Sequence, residues 1–124
     1  MNDAEGSVMQ SDDIPGDELF GRMNDSTAAA SVKGICGDEM EFYLYLCDDR
    51  VVDVRYYTVG CSNTRACGRA VARRAKGRTV TEALSISAGE IIRSGECEPA
   101  AGRHCAILAV TTLYRALAEY LLAP

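Results

Sequence analysis

The sequence predicts an α+β domain, a small antiparallel sheet of about three strands with helices packed on one face. Three observations predict it. Residues 39–46 alternate apolar and polar side chains, residues 51–59 alternate again, and from Ser62 onward the apolar period lengthens to that of a helix. Strands first and helices after is the order of an α+β domain, not of a parallel α/β sheet.

Each element has its own signal. Met40, Phe42, Leu44 and Leu46 face one way and Glu39, Glu41, Tyr43 and Tyr45 the other, as in a half-buried strand. Asp48-Asp49 reads as a turn. Val52, Val54 and Tyr56 against Asp53, Arg55 and Tyr57 give the second arm of an antiparallel hairpin. A shorter strand near Ala29–Lys33 completes the sheet. Ser62 can cap a helix reaching about Lys76 and stopped by Gly77. Thr79-Val-Thr-Glu82 and Ser87-Ala-Gly-Glu90 are capping boxes, each opening a short helix. A loop from Glu96 to Gly102 holds Pro99. The last helix runs from near His104 to about Leu122, with Ile107, Leu108, Leu113, Leu117 and Leu121 as its expected buried face.

The 124 residues allow one domain, expected over residues 26–124. Residues 1–25 are acidic and broken by Pro15, Gly16 and Gly21, and are expected to be flexible or loosely docked. Within them, Asp17–Met23 could form a short helix using Leu19, Phe20 and Met23. Net charge is −5, but residues 1–22 carry six acids and one base while the remainder carries twelve of each. A nucleic-acid-binding domain would be basic, so that class is not expected. No apolar run approaches the ~20 residues of a membrane span, and the opening residues lack the basic start and apolar stretch of a secretory signal. A cytoplasmic protein is expected.

Six cysteines then need a chemical reason: Cys36, Cys47, Cys61, Cys67, Cys97 and Cys105. In a reducing compartment they would stay as thiols, which favours metal or sulfur chemistry over disulfides. There is no CxxC pair, so zinc ribbons and thioredoxin-like sites are not supported. Cys36, Cys61 and Cys105 lie at element boundaries, where a rigid scaffold displays its chemistry. Cys61 and Cys105 each open a helix, whose N–H groups and positive dipole end favour a thiolate.

Cys36-Gly37-Asp38, then Gly60-Cys61 opening a helix, then Arg103-His104-Cys105-Ala106-Ile107-Leu108, in this order, resemble the NifU/IscU-like iron–sulfur cluster scaffold family. The resemblance covers about residues 33–122 and implies a SufE/NifU-like fold. It implies that Cys36, Cys61 and Cys105 hold an iron–sulfur cluster, [2Fe–2S] in the expected case, and that Asp38 and His104 are the exchangeable fourth ligand or tune release. It further implies that Cys105 accepts persulfide sulfur from a cysteine desulfurase. Iron, an electron donor such as a ferredoxin, and recipient apoproteins would be the other partners, with a homo-oligomer possible; the chain would be a scaffold and not an enzyme. Thiolates are the natural cluster ligands, and a carboxylate or imidazole in place of a fourth leaves a weaker point of exit.

The chain departs from the pattern where family members carry a proline-rich stretch read by a chaperone. Glu96-Cys97-Glu98-Pro99-Ala100-Ala101-Gly102 stands there instead, so that chaperone interaction is not expected. Two other readings remain open. A zinc-containing sulfur acceptor would use Cys36, Asp38, Cys61 and Cys105 as ligands. A thiol–disulfide protein would use Cys97 and Cys105.

The other singled-out residues have bland readings. Cys47 ends a strand and reads as structural. Cys67, six residues after Cys61, falls on another helix face and should pack in the core. Cys97 is expected to stay apart from the site. Arg65, Arg69, Arg73 and Lys76 form one basic helix stripe, expected to be solvated and otherwise a docking surface for an acidic partner. Tyr43 and Tyr45 are either exposed or covered by the N-terminal segment.

Overall fold

The computed structural model describes residues 17–35, 37–98 and 102–123. Cys36, residues 1–16, Pro99 and its two successors, and Pro124 lie outside the described residues.

Strands β1 (Ala28–Lys33), β2 (Glu39–Cys47) and β3 (Arg50–Thr58) form one antiparallel sheet in the order β1-β2-β3. The hairpin loop is the pair Asp48-Asp49, with φ of 53° and 59°. Two consecutive positive φ values give the turn whose twist matches the strands, and aspartate tolerates that conformation better than most residues. Met40, Phe42 and Leu44 of β2 are fully buried, as the alternation predicts.

On β3 the predicted alternation fails at one residue. Leu46 pairs with Val51 but Tyr45 pairs with Asp53, so Val52 is an extra residue opposite no partner. This bulge reverses the phase: Val51 and Val54 are buried and Val52 is 45% exposed.

Four helices follow: α1 (Ser62–Ala75), α2 (Val80–Leu84), α3 (Ala88–Arg93) and α4 (Gly102–Leu122). Both predicted capping boxes are present, Thr79 with Glu82 and Ser87 with Glu90. Helices α1 and α4 pack against the sheet and each other. Helix α1 approaches closely at Gly68, where an added Cβ would lie 2.6 Å from Tyr56 Cδ2 and 3.0 Å from Met40 Sδ.

The buried face of α4 is the predicted one in part. Leu108, Leu113 and Leu117 are buried as expected, together with Ala106, Ala109, Val110 and Ala116, whereas Ile107 and Leu121 are each 54% exposed. Alanines let α4 lie close to its neighbours, which a pattern of large side chains does not reveal. Arg103–Leu122 is long and apolar enough to cross a membrane by length and composition, contrary to the count of apolar runs. In this fold its apolar face serves the core, where a buried leucine contributes about 1.5–3 kcal/mol.

The expected helix over Asp17–Met23 is absent. Phe20 instead bridges Tyr56 in parallel, with Tyr56 N donating to Leu19 O at 3.0 Å and Gly21 N donating to Tyr56 O at 2.8 Å. Asp17, with only 1% of its side chain exposed, accepts on Oδ2 from Tyr56 Oη (2.5 Å), Arg65 Nε (3.1 Å) and Arg69 Nη1 (3.3 Å). The Arg65 guanidinium also lies 3.5 Å from the centre of the Phe20 ring. The first half of the basic stripe is therefore engaged within the chain, Arg65 more deeply than Arg69. It holds the segment before β1 in place.

Candidate functional site

Three elements bring side chains together at one end of the sheet. Cys61 is the N-cap residue of α1, extended at φ −70° and ψ 173°. Cys105 lies in the first turn of α4. Asp38 lies in the loop from β1 to β2. That loop is closed by Gly34 N donating to Asp38 O at 2.7 Å and Gly37 N donating to Gly34 O at 3.1 Å, with Gly37 at φ +89°. A residue with a side chain is strained there, so glycine is the natural occupant.

One ligand atom from each of Asp38, Cys61 and Cys105 lies within 4.8 Å of the other two. Ligands around a tetrahedral ion with bonds of about 2.3 Å sit about 3.8 Å apart. The three donors thus need to contract little to share a metal. Two thiolates and a carboxylate suit iron or zinc.

Thr64, fully buried one turn into α1, sits at the centre of the group. Its hydroxyl bonds Asp38 Oδ2 and lies 3.4 Å from Cys61 Sγ and 3.3 Å from Cys105 Sγ. A hydroxyl has one hydrogen and two lone pairs. With the hydrogen on Asp38, the oxygen can accept from both thiols. With the thiols ionised, the hydrogen can turn to sulfur. The Cys61 thiol is held below the ordinary thiol range by the Thr64 hydroxyl first, then by the backbone N–H groups of Thr64 and Asn63, against burial and the Asp38 charge.

Gly60 makes room for this contact. A Cβ there would lie 2.7 Å from Asp38 Oδ2 and 2.8 Å from Thr64 Cβ. The glycine beside Cys61 thus serves the approach of the protein's own carboxylate and hydroxyl. Thr64 was not singled out in the sequence, because a threonine in a helix N-terminal turn looks like any other. Only its spacing of three from Cys61 points to it.

The group opens into a cavity of about 480 Å³ lined on its far side by Val32, Ile107 and Leu108. His104 is exposed and lines the same cavity, but is not one of the three converging residues. Cys36 falls in the Asp38 loop by sequence and lies outside the described residues. Cys47 is exposed at the strand end. Cys67 is fully buried, as predicted. Cys97 is 4% exposed and belongs to the buried core.

Similar proteins share this arrangement of elements. The chain is 32% identical over 101 residues to the iron–sulfur cluster assembly scaffold protein IscU 1 of Archaeoglobus fulgidus, covering 81% of this chain and 66% of that protein. It therefore spans just under two thirds of that relative's length. It is 31% identical over 100 residues to the iron–sulfur cluster assembly scaffold protein IscU of Escherichia coli K12, covering 78% of this chain and 77% of that one. A solved structure from Fervidobacterium islandicum AW-1, described as a candidate iron–sulfur cluster assembly scaffold protein for the SUF system, superposes with a TM-score of 0.64 at 22% identity. That superposition covers 81% of this chain and 87% of the other and speaks for the fold. Residues 7–123 match the family model described as NifU-like N terminal domain, and the chain belongs to that family.

Proposed function

We propose that the chain is a scaffold on which an iron–sulfur cluster is assembled and from which it is handed to apoproteins. The observation that carries this reading is the convergence of Asp38, Cys61 and Cys105 on one point beside an open cavity. The names of the Archaeoglobus and Escherichia relatives support it. Cys36 would supply a third thiolate from the Asp38 loop, and His104 would stand at the rim as an alternative ligand.

The cluster is cargo, and the residues suit a temporary hold. Thiolates bind iron firmly, while a carboxylate already shared with Thr64 can let go. Sulfur would arrive as a persulfide on Cys105 from a cysteine desulfurase. Iron and electrons would come from further partners such as a ferredoxin, in a reducing compartment such as the cytoplasm, and a [2Fe–2S] cluster is the expected product. The chain would bind, position and release, with no turnover of its own.

The test is anaerobic reconstitution with iron, sulfide and reductant, followed by visible absorption and metal analysis. A brown protein with iron and sulfide in equal amounts is expected, lost in Cys36→Ala, Cys61→Ala and Cys105→Ala. A second reading, a zinc-binding sulfur acceptor, is favoured by one observation: the 4.8 Å spread of the donors suits a single ion as well as a cluster edge. A colourless protein that keeps stoichiometric zinc and resists reconstitution would select it.

A further inference from the structure

Two thiols beneath the site take no part in the ligand set. Cys67 on α1 is fully buried and Cys97, in the loop before α4, is 4% exposed. Both belong to the apolar core against which Cys105 packs. Cys67 lies three residues after Thr64, whose hydroxyl is 3.3 Å from Cys105 Sγ, and so on the same face of α1. The loop is tied down on either side of Cys97. Glu96 bonds Arg74 at 2.6 Å, and the Glu98 N–H donates to Asn63 Oδ1 at 2.9 Å. Arg74 and Asn63 are both on α1, so Cys97 is held against the helix that carries Cys67.

Burial pushes both thiols above the ordinary range. Their mutual hydrogen bond raises Cys67 further and draws Cys97 back down. A single buried cysteine is commonly a small core side chain. Two set against one helix, shielded from dissolved oxidants and one turn from the Thr64 that touches Cys105, have a chemical use. A persulfide delivers sulfur at the oxidation level of the element, and a cluster needs it as sulfide. Two electrons must be added for each sulfur.

We propose that Cys97 and Cys67 are an internal dithiol that reduces a persulfide on Cys105 to sulfide and closes to a Cys67–Cys97 disulfide. The inference rests on the reading of Cys105 as the sulfur acceptor. In the first step the Cys97 sulfur attacks Cys105 Sγ. The persulfide S–S bond breaks, the outer sulfur leaves with the electron pair and takes the Cys97 proton as hydrosulfide, and a Cys97–Cys105 disulfide forms. In the second step the Cys67 sulfur attacks the Cys97 sulfur, and Cys105 leaves as thiolate and takes the Cys67 proton. The sum is one persulfide and two thiols converted to hydrosulfide, one thiol and one disulfide. Cys97 is the natural first attacker, being on a loop; Cys67, fixed in mid-helix, is the natural resolver. The pair serves once until an external thiol reduces it.

The test loads the full chain anaerobically with inorganic polysulfide, desalts it rapidly, and follows sulfide release. Non-reducing peptide mapping then locates links and persulfides. Wild type is expected to release about one sulfide per chain and to gain a Cys67–Cys97 link. In Cys97→Ser the Cys105 persulfide should persist about tenfold longer or more, and Cys67→Ser should halt at a Cys97–Cys105 link. Cys47→Ser should behave as wild type. A Cys105 persulfide that decays equally fast in Cys97→Ser, or sulfide release with no Cys67–Cys97 link, would overturn the dithiol while leaving the sulfur acceptor intact. Absence of any persulfide on Cys105 in every variant would overturn both.

Discussion

Two carboxylates face helix α1, and they are used in opposite ways. Asp17 is buried and gathers three donors on one oxygen, from Tyr56, Arg65 and Arg69. Asp38 is half-buried, takes one hydroxyl from Thr64, and looks onto a cavity. The same functional group is thus a fastening at one place and an unspent donor at the other. What separates them is how many of a carboxylate's acceptor positions the protein has already filled, and whether water or a ligand can reach the rest.

The sharpest way to break this contrast is to remove each carboxylate in turn. Asp17→Ala removes the acceptor shared by Tyr56, Arg65 and Arg69, and should cost about 3–5 kcal/mol, the usual penalty for breaking a buried pair. Asp38→Ala should change stability by about 1 kcal/mol or less, yet weaken zinc or cobalt binding. Thermal unfolding and metal titration on both variants decide the matter. Comparable losses of stability would mean that Asp38 is a fastening too.

Next in size is Gly60→Ala. Its new methyl would occupy the space of Asp38 Oδ2, so the carboxylate must swing away. Metal affinity should fall about 10–100-fold, the range seen when supporting contacts of a ligand are lost. Thr64→Val should fall at the lower end of that range. It keeps the volume but removes the hydroxyl that bridges carboxylate and thiols, and the Cys61 thiol should then be alkylated at half-maximal rate only at a higher pH.

The smallest effect is a pH dependence on the Asp17 side. Burial, then the bond to Asp17, raises the Tyr56 phenol well above its ordinary value. The folded state therefore keeps a proton that the unfolded chain gives up near pH 10. The stabilising contribution is complete below that pH and is lost as pH rises through the folded value. Unfolding midpoints should decline above about pH 10, and Tyr56→Phe should flatten the decline. An equally steep decline in that variant would assign it to other groups.

The sequence was most legible where one residue type has one local job. The capping boxes at Thr79 and Ser87, the alternation of β2, and Cys61 and Cys105 at helix starts each follow from neighbours a few residues away. What escaped notice depends on contacts across the fold. The Val52 bulge is set by pairing with β2. Asp17 looked like part of an acidic tail until Arg65 and Arg69 came to meet it. Thr64 acquires its role only when Asp38 and Cys105 arrive from 26 and 41 residues away. The position of Cys97 likewise depends on Arg74 and Asn63 of α1, more than twenty residues away, holding its loop.

Helix α4 touches the site at Cys105, and near its other end Tyr120 donates to Asp49 Oδ1 of the hairpin turn at 2.5 Å. At a rise of about 1.5 Å per residue, these two points are about 22 Å apart along the axis. The helix is therefore a strut pinned at both ends. The spacing between Cys105 and Cys61 is set in part by a hinge pin on the opposite side of the molecule. Loosening that pin would let the strut slide and slacken the sulfur pair with no change at either cysteine.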